Sequence, residues 1–253
     1  MSAAATAFCP INSMTDRPDL DDLRRSPAAR RALARCIYGL IAYVSLIAIS
    51  LFVPAGLSWT RGWIFLAIYF LSASAATYYL WRVNPDILIA RSTFRRPSKW
   101  WDAVLGPLLL VSMVAIFPVA AYDDGRAHWS QVPLAASVLG YVFFLLANAG
   151  GLWVMRVNKF AELSVRIQTE RHQQVIDVGP YAIVRHPLYT TMFFVLTGIA
   201  LALGSYWALI PAGLCIALLI ARTALEDRLL RRKLAGYESY AARVRYRLVP
   251  GVW

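Results

Sequence analysis

Residues 188–221 read LYTTMFFVLTGIALALGSYWALIPAGLCIALLIA, an apolar run without a charged residue. A helix that crosses the hydrocarbon core of a bilayer needs about 20 residues, so this run is too long for one helix. Gly204-Ser205-Tyr206 interrupts it near the middle and is typical of a turn. The pattern predicts a tight helical hairpin with arms 188–203 and 206–221, each roughly 24 Å long at about 1.5 Å per residue.

Four further apolar runs have the length of a membrane-spanning helix. Of the 253 residues, 59% are hydrophobic and only 16% are charged, and the mean hydropathy is +0.52. This composition excludes an ordinary soluble domain. We therefore predict an all-α polytopic membrane protein with about six transmembrane helices. The four runs precede the hairpin and cover residues 36–57, 63–81, 103–121 and 132–155.

The basic residues are distributed unevenly along the chain, and the formal net charge is +12. By the positive-inside rule, basic segments face the cytoplasm, which predicts a multi-pass protein of the cell inner membrane with both termini inside. The charges lie in blocks between apolar runs and form no basic groove for a nucleic acid. All lysines and arginines except Arg61 and Arg126 fall in four segments, residues 1–35, 82–102, 156–187 and 222–253.

The chain after the hairpin has the pattern of an amphipathic helix, from about residue 223 to 246. Leu225, Leu229 and Leu234 recur at helical spacing opposite Arg228 and Arg231. We expect this helix to lie at the cytoplasmic membrane surface, outside the hydrocarbon.

The three cysteines do not indicate a disulfide framework or a metal site. Cys9, Cys36 and Cys215 are odd in number, far apart, and lack the spacing of zinc ligands. We expect no bound metal.

Polar residues concentrate at the two outer ends of the hairpin. Arg185-His186-Pro187-Leu188-Tyr189 precedes the first arm, and Glu226-Asp227 follows the second. Because antiparallel arms of similar length return the chain to the level where it entered, we expect these two clusters to lie side by side. Pro187 suits the first turn of a helix, whose positive end would then point at the pocket.

This combination of groups suits one ligand. Arg185 and the helix end could hold a carboxylate, Glu226 an ammonium, and tyrosine rings a cation. S-adenosylmethionine carries a carboxylate, an ammonium and a sulfonium. Purely structural interpretations remain open at this point. Arg185 could anchor the chain at the membrane surface, His186 could be a structural histidine, and Glu226-Asp227 could belong to a solvated helix face.

Residues from about 165 to 253 resemble the isoprenylcysteine carboxyl methyltransferase and phospholipid methyltransferase group of membrane enzymes. The resemblance rests on several motifs in order, which are Val165-Arg166-Ile167-Gln168, Val178-Gly179-Pro180-Tyr181, Val184 to Tyr189, Glu226-Asp227, Gly236 to Tyr240 and Arg247 to Gly251. It implies S-adenosylmethionine binding in a cytoplasm-facing pocket, with a lipophilic acceptor entering from the bilayer. The chain would then comprise an N-terminal tail (1–35), a four-helix membrane region (36–155) and a cofactor-binding region (156–253).

The resemblance also implies the site residues. Arg185, His186 and Glu226 would be catalytic. The cofactor-binding residues would be Gln168, His172, Tyr181, His186, Pro187, Tyr189, Glu226 and Asp227. Two positions depart from the family pattern: Thr191 replaces a glycine, which would narrow the pocket, and Asp227 replaces a glutamate, which keeps the charge with a shorter reach.

The expected reaction is methyl transfer to an oxygen, nitrogen or sulfur of a lipophilic or lipidated acceptor. A carboxylate acceptor would need no base, whereas an amine would need one, with His186 or Glu226 as candidates. One alternative is an NADPH-dependent reductase of the sterol-reductase type, although its motif has Asn where this chain has Leu188. A second is a non-enzymatic carrier or assembly protein, for which charged or broken helices at the bilayer midplane would be expected.

Overall fold

The computed structural model describes residues 20–93 and 99–253 of the chain, and it is all-helical within those ranges. This confirms the predicted class of an all-α polytopic membrane protein. Most of the predicted N-terminal tail, residues 1–19, lies outside the described residues. Nine α-helices are described: α1 (Leu20–Arg25), α2 (Pro27–Ala55), α3 (Thr60–Val83), α4 (Pro85–Ser92), α5 (Trp100–Tyr122), α6 (Leu134–Val157), α7 (Pro187–Ala202), α8 (Leu209–Lys233) and α9 (Tyr237–Arg243).

Five of these helices are long and apolar enough to cross a membrane, namely α2, α3, α5, α6 and α8. Helix α7 has only 16 residues, yet it also connects the two faces of the bundle. At its far end the Ser205 hydroxyl donates to Asp123, just beyond α5, and Gly204 lies against Arg61 at the start of α3. Helix α7 is thus a sixth, shorter segment that runs from the basic face to the opposite face.

Helix α7 packs unusually close to α6 because glycines face each other across the contact. A Cβ atom added to Gly140 would lie 2.4 Å from the backbone nitrogen of Ala202, and one added to Gly198 would lie 2.7 Å from the oxygen of Gly140. Small residues allow membrane helices to approach in this way and gain dispersion contacts. The close contact fixes α7, which carries the predicted motif at its N-terminal end.

Aromatic side chains fill the centre of the bundle. The ring of Phe65 on α3 lies 5.9 Å from Phe117 on α5 and 5.8 Å from Phe144 on α6, measured between centroids. In contrast, large apolar side chains such as Leu71, Val111 and Leu146 are mostly exposed. An apolar outer surface around a well-packed interior is what a lipid environment requires.

The largest differences from the sequence-based prediction are two helix boundaries and one additional helix. Helix α2 begins at Pro27 rather than near residue 36, because the Ser26 hydroxyl caps it by accepting from the Ala29 amide. The second hairpin arm does not end at residue 221 but continues to Lys233. The unpredicted helix α4 begins at Pro85, a favourable first-turn position.

The predicted amphipathic helix from residue 223 to 246 is wrong as a single element. Its first half is the end of α8, and the chain then turns at Gly236, whose φ of +79° suits glycine. The short helix α9 follows and buries Tyr237 and Tyr240 against Leu234 in a small second core. Residues 234–243 therefore pack on the protein's own loops instead of forming one continuous surface helix.

Candidate functional site

The segment before α7 is fixed by the C-terminal end of the chain. The Arg185 amide donates to the Tyr246 carbonyl (3.0 Å), and the His186 amide donates to the Arg247 carbonyl (2.9 Å). Pro187 then begins α7, as predicted, because it lacks the amide hydrogen that a first-turn residue cannot use. The basic tail thus forms one wall beside the motif.

Arg185 and Asp227 form a buried ion pair across the hairpin. Arg185 Nε and Nη2 lie 2.8 and 3.2 Å from the two Asp227 oxygens, and Nη1 donates to the carbonyls of Val244 and Arg245. The side chains of Arg185 and Asp227 are 2% and 0% exposed. The predicted juxtaposition of the two clusters is therefore present in the structure.

This ion pair accounts for the protein contacts of two predicted site residues, whose roles toward a ligand stay predictions. Arg185 was expected to hold a cofactor carboxylate, but its guanidinium is occupied by Asp227 and two carbonyls. Asp227 was expected to bind the cofactor, but both of its oxygens accept hydrogen bonds from protein groups and none of its surface is accessible. In the structure this pair joins the segment before α7 to α8.

His186 lies against the same carboxylate. Its Nε2 is 3.4 Å from Asp227 Oδ1 and 3.5 Å from the hydroxyl of Tyr237, which itself donates to Asp227 at 3.0 Å. The imidazole is stacked on the ring of Tyr189, with the planes 8° apart. His186 is buried, so its predicted catalytic role stays a prediction, while its contacts orient the ring of Tyr189.

Tyr189 and Glu226 form the accessible part of the site. The Tyr189 hydroxyl donates to Glu226 Oε2 at 2.6 Å, which joins α7 to α8. Glu226 is only half-buried, and its second oxygen accepts no hydrogen bond from any residue within 20–93 and 99–253. A carboxylate oxygen with an open coordination position can accept a donor from a ligand.

Sequence reasoning missed a second ion pair beneath Tyr189. Arg222 Nη2 lies 2.8 Å from Asp102, a 2%-exposed carboxylate that also accepts the Val165 amide. The Arg222 guanidinium sits 5.8 Å from the centre of the Tyr189 ring, a cation–π arrangement. The only signal in the sequence was an acidic residue, Asp102, at the end of a mainly basic segment.

Arg91 on α4 is a second residue that the prediction did not include. Its Nη1 donates to the Ala161 carbonyl at 3.1 Å, and it forms no ion pair with a carboxylate among the described residues. Burial lowers the pKa of Arg91, and the neighbouring Tyr189 and Cys36 partly counteract this shift. Among the arginines near Tyr189, Arg91 is therefore the one that has no acidic partner within residues 20–93 and 99–253.

The loop that precedes the motif holds the remaining predicted residues. Gln168 is buried and bonded within its own loop, since its Nε2 donates to Phe160 and its Oε1 accepts from Arg171. Its predicted contact with the cofactor stays a prediction. His172 is exposed in the left-handed conformation, with φ of 49°, and its cofactor role stays a prediction.

Tyr181 lies close to the accessible part of the site. Its hydroxyl accepts from Asn158 Nδ2 at 2.6 Å, and its carbonyl accepts from the Tyr240 hydroxyl. Burial raises the pKa of Tyr181 to about 12, and the negative charge of Glu226 adds to the increase. Burial likewise raises the pKa of Tyr237 and Tyr240. These phenols are therefore neutral hydrogen-bond donors and acceptors at physiological pH.

Thr191, the departure from the family pattern, does not line this space. Its hydroxyl donates to the Leu188 carbonyl, and a Cβ atom added to Gly150 on α6 would lie 3.1 Å from its methyl group. The extra volume of Thr191 is thus accommodated in the contact between α6 and α7, where Gly150 provides room. The predicted narrowing of the cofactor pocket is not supported.

Comparisons with known proteins point in the same direction as the motifs. Residues 135–235, which include the hairpin and Glu226, match the phospholipid methyltransferase family. This match confirms the predicted resemblance and supports membrane methyltransferase activity. The nickel-cobalt-cadmium resistance protein NccN of Alcaligenes xylosoxydans xylosoxydans is 28% identical over 138 residues, which are 53% of this chain and 59% of that protein. The chain thus matches about three fifths of that relative's length.

Within 20–93 and 99–253, no group of three or more His, Cys, Asp or Glu side chains is placed to hold a metal ion.

Proposed function

We propose that this chain, a membrane protein with a phospholipid methyltransferase region at residues 135–235, transfers a methyl group from S-adenosylmethionine to a lipophilic acceptor. The reaction would take place at the basic, cytoplasmic face of the cell inner membrane. The observation that carries the proposal is the hydrogen bond between Tyr189 and Glu226, which lies inside the matched region and leaves one carboxylate oxygen open.

The residues around this pair fit the three charged groups of S-adenosylmethionine. The open oxygen of Glu226 suits the ammonium group, since a charge-assisted hydrogen bond is the strongest kind available here. Arg91, which has no carboxylate partner in the described ranges, suits the cofactor carboxylate. The ring of Tyr189 offers an electron-rich face for a cation, although Arg222 already covers one side of it.

Bound S-adenosylmethionine would supply an electrophilic methyl group on a sulfonium, which leaves as a neutral thioether when the acceptor takes the methyl. The protein contributes orientation and exclusion of water. The buried Arg185–Asp227 pair fixes α7 relative to α8 and so sets the separation of Tyr189 and Glu226. The His186 ring lies nearly parallel to the Tyr189 ring and helps to fix its orientation.

The position of the site also suits an amphiphilic acceptor. Tyr189 lies in the first turn of α7, where the apolar hairpin meets the basic segments. A lipid whose chains lie in the bilayer would carry its head group at this level. If the acceptor is an amine that must lose a proton, His186 is the candidate base, because the proposal uses both oxygens of Glu226 for Tyr189 and the cofactor ammonium.

The test is methyl transfer by the full chain purified in detergent. A lipid extract is incubated with methyl-labelled S-adenosylmethionine and then examined by mass spectrometry for labelled lipids. The proposal predicts a labelled lipid that requires active protein, and a rise in melting temperature with S-adenosylmethionine but not with NADPH. Stabilisation by NADPH alone, with no labelled product, would instead support a reductase.

A further inference from the structure

A cavity lies outside the candidate site, between the N-terminal end of α2 and helix α4. Its volume is about 230 Å³. Arg31 and Arg35 line it from α2, and Ser92 and Thr93 line it from the end of α4. Small or apolar side chains complete the walls: Ala28, Ala32 and Ile89.

The charged side chains that line this cavity are both positive. Arg31 and Arg35 are four residues apart and therefore share one face of α2. Among residues 20–93 and 99–253, neither arginine forms an ion pair with a carboxylate and no acidic side chain lines the cavity. Arg35 Nη1 is within 3.4 Å of the Thr93 hydroxyl, which brings a hydroxyl and a guanidinium to the same point.

The start of α2 strengthens this positive potential. Ala28, in the first turn of the 29-residue helix, lines the cavity. The amides at the beginning of a helix carry a partial positive charge, which favours an anion nearby. The N-terminal end of α2 and the two arginines therefore both favour the binding of an anion in the cavity.

The depth of the cavity in the membrane is set by the sequence of α2. Arg35 directly precedes the apolar run that begins at Cys36. Both arginines accordingly lie at the boundary between the basic N-terminal segment and the apolar span, the level at which lipid phosphates are found.

We propose that this cavity binds a phosphate ester group through Arg31, Arg35 and the hydroxyls of Ser92 and Thr93. The planar guanidinium presents paired N–H donors that match two phosphate oxygens. The hydroxyls of Ser92 and Thr93 donate to the Ile89 carbonyl in the structure, and rotation of either hydroxyl would redirect its donor to the phosphate. The group could belong to an anionic phospholipid head group or to a soluble phosphate ester. This binding does not depend on methyl transfer, because none of the four residues contacts Tyr189 or Glu226 in the structure.

The experiment measures ligand retention by the full chain in detergent with native mass spectrometry. The probes are phosphatidylglycerol and glycerol 3-phosphate, titrated separately. Binding should weaken by about tenfold for each arginine lost, as expected for one charge-assisted contact. The variants are Arg31→Ala, Arg35→Ala and their combination, with Arg30→Ala as the control, since Arg30 is exposed on the same helix and does not line the cavity.

The two probes separate the two sources of the phosphate. Retention of phosphatidylglycerol alone, lost in the double variant and kept in Arg30→Ala, identifies a lipid head group. Arginine-dependent binding of glycerol 3-phosphate identifies a soluble ester. The proposal is overturned if wild-type protein binds neither probe, or if Arg30→Ala weakens binding as much as the cavity variants. The variant with both arginines changed to lysine provides a folded reference, because it keeps the charge and loses only the forked geometry.

Discussion

Replacing Asp227 with asparagine should destabilise the protein strongly, although the two side chains have almost the same shape. Asp227 is fully buried and balances the charge of Arg185, whose side chain is 2% exposed. Removing one partner of a buried ion pair leaves the other charge uncompensated and costs about 3–5 kcal/mol. For a chain of this size, roughly 2–4 °C of melting temperature corresponds to 1 kcal/mol, so the expected decrease is about 6–20 °C.

The matched control for this prediction is Arg231→Ala. Arg231 contacts the same carboxylate at 3.3 Å, but its side chain is 33% exposed. Because the Arg231 side chain is partly exposed, water screens its contact with Asp227, and its loss should cost about 1 kcal/mol or less. Melting curves in one detergent and at one heating rate provide the assay. Equal melting temperatures for Asp227→Asn and Arg231→Ala would refute the assignment of the Arg185–Asp227 pair as the brace of the site. A double-mutant cycle with Arg185→Gln should show a coupling energy of about 0.5–3 kcal/mol.

Three further predictions follow from the packing, the ionisation and the charge of the site. Gly140→Ala should lower the melting temperature by separating α6 from α7, whereas Gly213→Ala, which meets no atom within 4 Å, should not lower it. Burial raises the pKa of Tyr181 to about 12, so the neutral phenol stabilises the fold fully below about pH 10. This contribution to stability is lost as the pH rises from about 10 to 12. Tyr181→Phe should therefore show a smaller decrease in melting temperature over that pH range. Arg91→Met should weaken S-adenosylmethionine binding about tenfold in a calorimetric titration without lowering the melting temperature, and unchanged affinity would remove Arg91 from the site.

The sequence predicted the membrane helices well because the requirement behind them is local. Each span must satisfy its own backbone hydrogen bonds and present apolar side chains to lipid, so length and composition reveal it. The hairpin turn at Gly204 was equally visible, and the structure gives this residue a φ of +78°. The predicted return of Glu226 and Asp227 to the level of Arg185 followed from the length of the arms alone.

The end of α8 could not be predicted in this way. Residues beyond 221 are charged, which suggested that the spanning helix stopped and a surface helix began. In the structure Arg222 and Asp227 are instead neutralised by Asp102 and Arg185, which come from distant parts of the chain. Such partners make a continuous helix possible, and one sequence does not reveal them.

The partners of the arginines could not be predicted for the same reason. A motif arginine beside a helix N-terminus has the chemistry to bind a carboxylate, and the residue type alone does not show whether that carboxylate belongs to a ligand or to the protein. Arg185 binds Asp227. Arg91 lies in a segment without a recognisable motif, and only the folded chain brings it near Tyr189.

The central claim is that the Tyr189–Glu226 pair forms part of a binding site for S-adenosylmethionine. The most direct test is a calorimetric titration of the full chain in detergent with this cofactor, comparing Glu226→Gln with Glu238→Gln. Glu238 is an appropriate control because its carboxylate is 69% exposed and pairs with Arg231, away from Tyr189. We predict micromolar-range binding by the wild type and by Glu238→Gln. Glu226→Gln should bind the cofactor at least about tenfold more weakly than the wild type. Equal affinity in all three proteins would contradict the account.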